Sequence, residues 1–89
     1  MGWYVYMLRC RDGSLYTGCT TDLVRRVAAH NAGTGAKYTR ARRPVALVYA
    51  QPCRDHAAAL RREAAIKKLS KGQKERLVLD FSPNEEDCP

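Results

Sequence analysis

The sequence lacks the features that mark several large classes of protein. It has only four cysteines in 89 residues, and none of them stand at the short spacing of a zinc cluster: Cys10, Cys19, Cys53 and Cys88. No apolar run approaches the roughly 20 residues that a membrane-spanning helix needs. The N-terminus has no basic stretch leading into an apolar one, so no signal peptide is expected. We therefore expect a cytoplasmic protein with reduced cysteines and no membrane partner.

Acidic residues are scarce over most of the chain. Four of the nine acids lie in residues 80–89, which hold no base, so residues 1–79 carry 16 bases against five acids, a net charge of +11. A surface with this excess of positive charge attracts polyanions, nucleic acid first. Two dense basic blocks stand out: Lys37, Arg40, Arg42 and Arg43, and later Arg61, Arg62, Lys67, Lys68, Lys71, Lys74 and Arg76. We expect DNA as the partner, bound by Lys37, Arg40, Arg42, Arg43, Lys67 and Lys68 of these blocks.

The pattern of apolar and turn-forming residues predicts one α+β domain over residues 1–79, in the order β-β-α-β-α-α. Its three strands are expected to form a small, mainly antiparallel sheet flanked by the helices. A basic loop is expected before Pro44, and a capping box is expected to start the last helix at Ser70. The acidic, proline-containing segment 80–89 is predicted to be a disordered tail. The predicted strands are 3–8, 15–17 and 45–49, and the predicted helices end near residues 30, 69 and 79.

Two tyrosines are expected to share one face of the first hairpin. A three-residue loop, 11–13, with Gly13 in the left-handed conformation, would pair Tyr6 with Gly18. Tyr6 and Tyr16 would then be diagonal neighbours, roughly 7–8 Å apart at the backbone, with hydroxyls able to converge on one phosphate. A two-residue loop would put them on opposite faces. The alternative interpretation is that both are amphipathic packing residues.

Three further residues carry chemistry that suits a phosphate. Arg26 and His30 are one helical turn apart, so they lie on one face of the first helix. Arginine can hold phosphate oxygens with two N–H groups, and histidine can move a proton or orient water. Glu63 is expected between Leu60 and Ile66 on a buried helix face, where a carboxylate needs a metal ion or a basic side chain as partner. The alternatives are a solvated helix surface for the first pair and a structural salt bridge to an arginine for Glu63.

The ordered set of these residues resembles the GIY-YIG nucleases. Tyr4-Val5-Tyr6 stands where that family has its first motif, and Tyr16-Thr17-Gly18 where it has its second. An arginine-containing helix, 26–30, follows at the expected distance, and Glu63 lies on the later long helix. The resemblance covers roughly residues 3–79 and is closest to the small single-domain, YhbQ-like members of the family.

The match departs from the family pattern at three places. Tyr4 stands at the glycine of the first motif and Thr17 at the isoleucine of the second, but neither position supplies a catalytic side chain. Some nucleases of the family carry an asparagine beyond the glutamate. Here the only later asparagine is Asn84, in the predicted tail.

The resemblance implies a metal-dependent endonuclease that hydrolyses phosphodiester bonds in structured or damaged DNA, in repair or recombination. It implies that a tyrosine hydroxyl activates water, with its pKa lowered by the neighbouring arginine and metal. We prefer Tyr6 as this base, although the residues alone leave the order of the two tyrosines open. Glu63 would bind one Mg²⁺ or Mn²⁺. The implied catalytic residues are Tyr6, Tyr16, Arg26, His30 and Glu63.

Two other functions remain open at this point. The same fold could serve as a non-catalytic nucleic-acid-binding module, or its basic face could dock an acidic protein. The glutamate favours the nuclease over the binding module, because a carboxylate facing phosphate would repel the ligand. With no target-reading module attached, we expect DNA structure or a protein partner to supply specificity. The oligomeric state is left open.

Overall fold

A computed structural model describes residues 2–81 of the chain. Its three strands form one antiparallel sheet in the order β2-β1-β3, which confirms the predicted α+β class. A single-turn helix, α2, lies in the segment expected to be a basic loop. The elements are β1 Trp3–Arg9, β2 Leu15–Thr20, α1 Leu23–Ala32, α2 Lys37–Arg40, β3 Ala46–Cys53, α3 His56–Lys67 and α4 Lys71–Asp80.

The hairpin between β1 and β2 has the three-residue loop that the sequence predicts. Gly13 has a φ of +88°, in the left-handed region, and its N–H donates to the carbonyl of Cys10 at 2.9 Å. Tyr6 is paired with Gly18, as expected. Residues two apart along a strand point to the same side of the sheet, so Tyr6 and Tyr16 share one face of the hairpin.

The helix starts also agree with the sequence. Asp22 caps α1 by accepting a hydrogen bond from the Arg25 N–H at 3.1 Å, and Asp55 caps α3 in the same way. Ser70 and Gln73 form the predicted capping box of α4. Side chains of the expected cap types therefore set where these three helices begin.

Apolar side chains cover both faces of the sheet. The core on the side of α3 and α4 consists of Val5, Met7, Tyr49, Ala59 and Ile66. The core on the side of α1 consists of Tyr6, Leu8, Cys10 and Val45. One expectation is wrong: Leu60 is 48% exposed, because α3 turns Ala59 and Ile66 towards the sheet instead. Of the two apolar neighbours expected to be buried beside Glu63, Ile66 is buried and Leu60 is not.

An ionic network ties α4 to the hairpin. Two N–H groups of Arg9 donate to the Glu75 carboxylate at 2.5 and 2.6 Å, and the Lys71 ammonium donates to the Gly13 carbonyl at 3.1 Å. The hydrogen bonds from Arg9, with a smaller effect of Lys71, lower the pKa of Glu75 to about 2. This network fixes α4 against the hairpin, and Lys74 of α4 lines a cleft together with Leu15 of β2.

The last helix continues slightly beyond the predicted domain boundary at residue 79. It includes Asp80, and the ring of Phe81 lies 5.7 Å from that of Tyr49. The remainder of the predicted tail, 82–89, lies outside the described residues. Across residues 2–81, every helix is too short or too polar to cross a membrane.

Candidate active site

A chain of buried hydrogen bonds lies between the sheet and the first two helices. The Tyr6 hydroxyl lies 2.9 Å from Nε2 of His30, and Nδ1 of His30 lies 2.8 Å from Oγ1 of Thr39. The Thr39 hydroxyl also donates to the Ala36 carbonyl at 3.1 Å. Tyr6 is 1% exposed, and His30 and Thr39 are fully buried. Burial, and the charge of Arg26, lower the pKa of His30, so this ring is neutral at neutral pH.

Two glycines make room for the aromatic rings at this site. A Cβ on Gly18 would lie 2.7 Å from the Tyr6 hydroxyl oxygen and 3.3 Å from the ring of Tyr16. A Cβ on Gly35 would lie 2.5 Å from Nδ1 of His30. Distances this short are steric clashes, so each ring lies directly against bare backbone. The glycine of the Tyr16-Thr17-Gly18 motif therefore has a steric role at the site.

Arg26 lies beside the Tyr6 hydroxyl, one helical turn before His30 on α1. Its Nε is buried and has no hydrogen-bond partner among residues 2–81. The pKa of Tyr6 is raised, because burial of the phenol outweighs the opposite effect of Arg26. Arg26 thus acts in the expected direction, but in the protein alone its effect is smaller than that of burial. The Tyr6 hydroxyl is protonated at neutral pH.

Tyr16 is the more accessible of the two tyrosines. Its ring centroid lies 5.1 Å from that of His30 and 6.0 Å from that of Tyr38. It lines an open cleft of about 340 Å³ along the edge strand β2. Residues of α2, α3 and α4 also line this cleft. Tyr6 lies behind this surface. The residues lining the cleft are Leu15, Tyr16, Thr17, Tyr38, Lys67 and Lys74.

Glu63 reaches the cleft region from the opposite side of the sheet. One carboxylate oxygen lies 2.9 Å from the Lys67 ammonium, and the other accepts from the Cys19 thiol at 3.3 Å. Burial, with a further effect of Glu63, raises the pKa of Cys19 to about 11. The side chain of Glu63 is 17% exposed and that of Lys67 is 53% exposed. The basic partner of Glu63 is therefore an exposed lysine rather than an arginine.

A divalent ion fits Glu63 only with ligands from outside the chain. No group of three or more His, Cys, Asp or Glu side chains comes together within the described part of the chain. Mg²⁺ commonly takes one or two protein carboxylates and completes its shell with waters and substrate phosphate oxygens. Glu63 supplies such a carboxylate, and Lys67 is exposed enough to swing away from it. The donor chemistry therefore suits one hard cation bound together with substrate.

The basic residues predicted to bind nucleic acid fall into two groups. Lys67 lines the cleft, whereas Lys37, Arg40 and Lys68 are exposed outside it. Arg42 and Arg43 are engaged within the protein. The Nε of Arg42 donates to Asp12 at 3.0 Å and its guanidinium carbon lies 3.9 Å from the centre of the Tyr38 ring. The Nε of Arg43 donates to the carbonyl of Arg40 at 2.8 Å.

Sequence reasoning missed three residues at the site. Lys74 belongs to a recognised run of bases, but only the placement of α4 shows that it lines the cleft. Tyr38 and Thr39 lie in the segment expected to be a loop. A hydroxyl three residues after Ala36, near a basic run, gives no local signal of contact with His30. These positions depend on tertiary packing.

The chain was compared with known proteins. Residues 2–76 match the family model described as "GIY-YIG catalytic domain". A UPF0213 protein of Desulfotalea psychrophila is 54% identical over 77 residues, which cover 85% of this chain and 70% of that protein. A UPF0213 protein of Natronomonas pharaonis is 57% identical over 77 residues, covering 86% of this chain and 91% of that protein.

Two solved structures are similar to this one. The solution NMR structure of a UPF0213 protein from Bacillus halodurans is 47% identical, with a TM-score of 0.60, and the match covers 99% of this chain and 95% of that one. The solution NMR structure of a protein from E. faecalis is 45% identical, with a TM-score of 0.60, covering 85% and 81%. The resemblance seen in the sequence is confirmed: the chain belongs to the GIY-YIG catalytic domain family, among its UPF0213 proteins.

Proposed function

We propose that the protein is a metal-dependent endonuclease that hydrolyses phosphodiester bonds in DNA. One observation carries this proposal: the buried Nε of Arg26, which has no hydrogen-bond partner within residues 2–81, lies beside Tyr6 at a site rich in positive charge. A buried guanidinium N–H without an acceptor is costly, and a bound anion relieves the cost. Phosphate oxygens are the acceptors that arginine geometry matches best. Membership of a family of catalytic domains supports the same function.

The scissile phosphate would lie at the edge of β2, between Arg26 and Glu63. Tyr16 and Cys19 of this strand contribute to the raised pKa values of both Arg26 and Lys67, after their larger partners Tyr6 and Glu63. Both cations are therefore close to the same edge strand. In this arrangement Arg26 binds phosphate oxygens and stabilises the charge that develops during hydrolysis.

We assign the contact with attacking water to Tyr16. Tyr6 is 1% exposed, and its hydroxyl is already engaged by His30. Tyr16 lines the cleft, where its hydroxyl oxygen can orient a water molecule in line with the phosphate. The assignment reverses the preference for Tyr6 drawn from the sequence. Tyr6 and His30 then act by holding Arg26 and the ring of Tyr16 in place.

An ion such as Mg²⁺ or Mn²⁺ on Glu63 would supply Lewis-acid stabilisation of the leaving oxygen. The chain's own residues would bind the rest of the strand: Lys67 and Lys74 can neutralise neighbouring phosphates, and the partly exposed ring of Tyr38 can pack against a sugar or base. We further propose structured or damaged DNA as the substrate and a protein partner for targeting, because the cleft offers few groups for reading a base sequence.

The proposed function is tested first with the unmodified protein. Branched, nicked and plain duplex DNA are incubated with the protein in Mg²⁺, in Mn²⁺ and in chelator. We expect strand cleavage that depends on the ion and is faster on branched or nicked DNA. DNA binding without cleavage of any of these substrates would favour a non-catalytic binding module, in which the Glu63–Lys67 ion pair is permanent.

A matched pair of arginine variants then tests the role of Arg26. Arg26→Lys keeps the positive charge but removes Nε–H and the planar fork. We expect at least about a hundredfold loss in the rate of cleavage, the scale for losing one donor to a developing negative charge. Arg25→Lys, at the neighbouring exposed position, is expected to cleave normally. Equal rates of cleavage for Arg26→Lys and Arg25→Lys would show that Arg26 has no special role in cleavage.

A further inference from the structure

Thr39 is the last side chain in the buried hydrogen-bond chain. It lies in the single-turn helix α2 and contacts neither the cleft nor the position proposed for the phosphate. Its hydroxyl is nevertheless fully buried between His30 and the Ala36 carbonyl. A buried hydroxyl with two such partners can determine where the histidine carries its proton.

The Ala36 carbonyl sets the direction of the hydrogen bonds. The Ala36 carbonyl oxygen, which also accepts from the Arg40 N–H at 3.1 Å, can only accept, so the one hydroxyl proton of Thr39 is directed to it, at 3.1 Å. Thr39 Oγ1 must then accept from Nδ1–H of His30, at 2.8 Å. If Thr39 donated to Nδ1 instead, two oxygen lone pairs would face each other at the Ala36 carbonyl. A neutral His30 therefore carries its proton on Nδ1, with a lone pair at Nε2.

This tautomer determines which way the Tyr6 hydroxyl points. The lone pair on Nε2 of His30 accepts the Tyr6 proton at 2.9 Å. The remaining lone pair of the Tyr6 oxygen then faces the Arg26 guanidinium, which has donors only. With the proton on Nε2 instead, Tyr6 would have to accept from His30, and its own proton would be left to face the donors of Arg26.

We propose that Thr39 is a positioning residue that fixes the proton of His30 on Nδ1, and so orients Tyr6 to hold Arg26 in place for phosphate. The consequence for cleavage rests on the proposed function, whereas the tautomer does not. Thr39 would thus act on the phosphate indirectly, through its hydrogen bond to His30, the hydrogen bond from His30 to Tyr6, and the position of Arg26 beside Tyr6. A similar fixed tautomer is a common device wherever a histidine must accept a proton on one defined nitrogen.

The first test is NMR of the unmodified protein with ¹⁵N-labelled histidine. The chain has only two histidines, His30 and His56, so the two imidazole signal sets can be assigned with His56→Gln. We expect His30 to be neutral at pH 7, with a protonated Nδ1 and an unprotonated Nε2. A proton on Nε2, or on both nitrogens, would overturn the proposal without any variant of Thr39.

The second test compares three threonine variants. Thr39→Val removes the acceptor of Nδ1–H at nearly constant volume, and Thr39→Ser restores the hydroxyl. We expect Val to shift His30 away from the pure Nδ1–H tautomer and to lower the rate of cleavage about tenfold, the effect of one buried hydrogen bond. Ser should restore both. Thr34→Val, which removes an exposed hydroxyl bonded to the Ala29 carbonyl, should change neither.

Three outcomes would separate the ideas. If Thr39→Val leaves the tautomer of His30 unchanged, Thr39 does not determine it. If the tautomer changes but cleavage does not, the positioning role is wrong. If the unmodified protein cleaves no DNA, the proposed function fails, while the spectrum of His30 still decides whether Thr39 sets the tautomer. Should Thr39→Val not fold, the wild-type spectrum still tests the proposal, because a proton on Nε2 of His30 would overturn it.

Discussion

The two sides of the edge strand β2 are built on different physical principles. On the side of α1 and α2, polar side chains are buried and joined by neutral hydrogen bonds, through Tyr6, His30 and Thr39. On the side of α3 and α4, Glu63 and Lys67 form an ion pair that solvent reaches. Buried polar groups must keep their partners, because an unpaired one is costly. Exposed ions exchange partners at little cost.

The two sides of β2 have different roles in the proposed function. In the proposed function the buried side fixes the direction of Arg26, and the exposed side releases Glu63 from Lys67 when a cation and a phosphate arrive. A rigid donor beside an adaptable carboxylate allows substrate binding to complete the site. Substitutions on the buried side should therefore disturb both structure and cleavage, whereas those on the exposed side should separate the two.

The sharpest test of this difference, and the largest expected effect, is Glu63→Gln. The amide retains the shape and can still accept from the Cys19 thiol, but it removes the charge that would bind a cation. We expect the rate of cleavage to fall at least about a hundredfold. The free energy of unfolding should fall by no more than about 1 kcal/mol, because the partner Lys67 is largely exposed.

Glu75→Gln is the matched control for that experiment. Glu75 binds Arg9 and Lys71 at the base of α4, away from Tyr6, His30 and Arg26. The melting temperature of Glu75→Gln should fall while cleavage by the folded protein stays close to normal. If instead Glu63→Gln melts much earlier and cleaves at the normal rate, Glu63 is a structural residue and the proposed division is wrong.

A pair of glycine variants tests the buried side, with an intermediate expected effect. In Gly18→Ala the new methyl group would lie 2.7 Å from the Tyr6 hydroxyl oxygen. Relief of this clash should cost about 1–3 kcal/mol of stability. It should also slow cleavage on the order of tenfold to a hundredfold, since small displacements of positioning groups have effects of this size.

The control is Gly72→Ala, the same change on α4. Its methyl group would meet only the Ser70 hydroxyl oxygen, at 4.0 Å. Alanine is a better helix former than glycine, so the variant should gain up to about 1 kcal/mol of stability and retain normal cleavage. Thermal unfolding and a cleavage assay measure both effects. Equal behaviour of the two variants would show that Gly18 has no steric role.

Local sequence signals explain why much of the fold was predictable. The three-residue loop 11–13, the caps at Asp22 and Asp55, and the capping box at Ser70 each act within a few residues of the chain. The loop sets the hairpin register, which puts Tyr6 and Tyr16 on one face, and the caps set the helix starts. The helix α2 was missed because its cap, Ala36, has no side-chain hydrogen bond and the helix has only one turn.

The electrostatics of the site depend on contacts between distant parts of the chain. The spacing of Arg26 and His30 predicted one shared face, but not that His30 would be fully buried by Tyr6 and by α2. Burial of the Tyr6 phenol raises its pKa against the effect of Arg26, and no local pattern predicts the direction of this shift. The roles of the five implied catalytic residues stay predictions until variants are assayed.

The smallest expected effect is the pH dependence of stability that Glu75 contributes through its ion pairs. Arg9, and less strongly Lys71, lower the pKa of Glu75 from 4.5 to about 2 in the folded protein. The folded state thus favours the carboxylate, and its contribution to stability is fully present above pH 4.5. It should be lost as the pH falls from 4.5 towards 2.

Thermal unfolding of wild type and Glu75→Gln across this range should show a steeper decline for wild type, with the two curves converging at the acidic end. Asp12, whose pKa is lowered chiefly by hydrogen bonds from Ser14, contributes equally to both proteins and cancels in the comparison. Parallel curves would mean that Glu75 is not ion-paired in solution, and the rigid attachment of α4 that places Lys74 at the cleft would then need another cause.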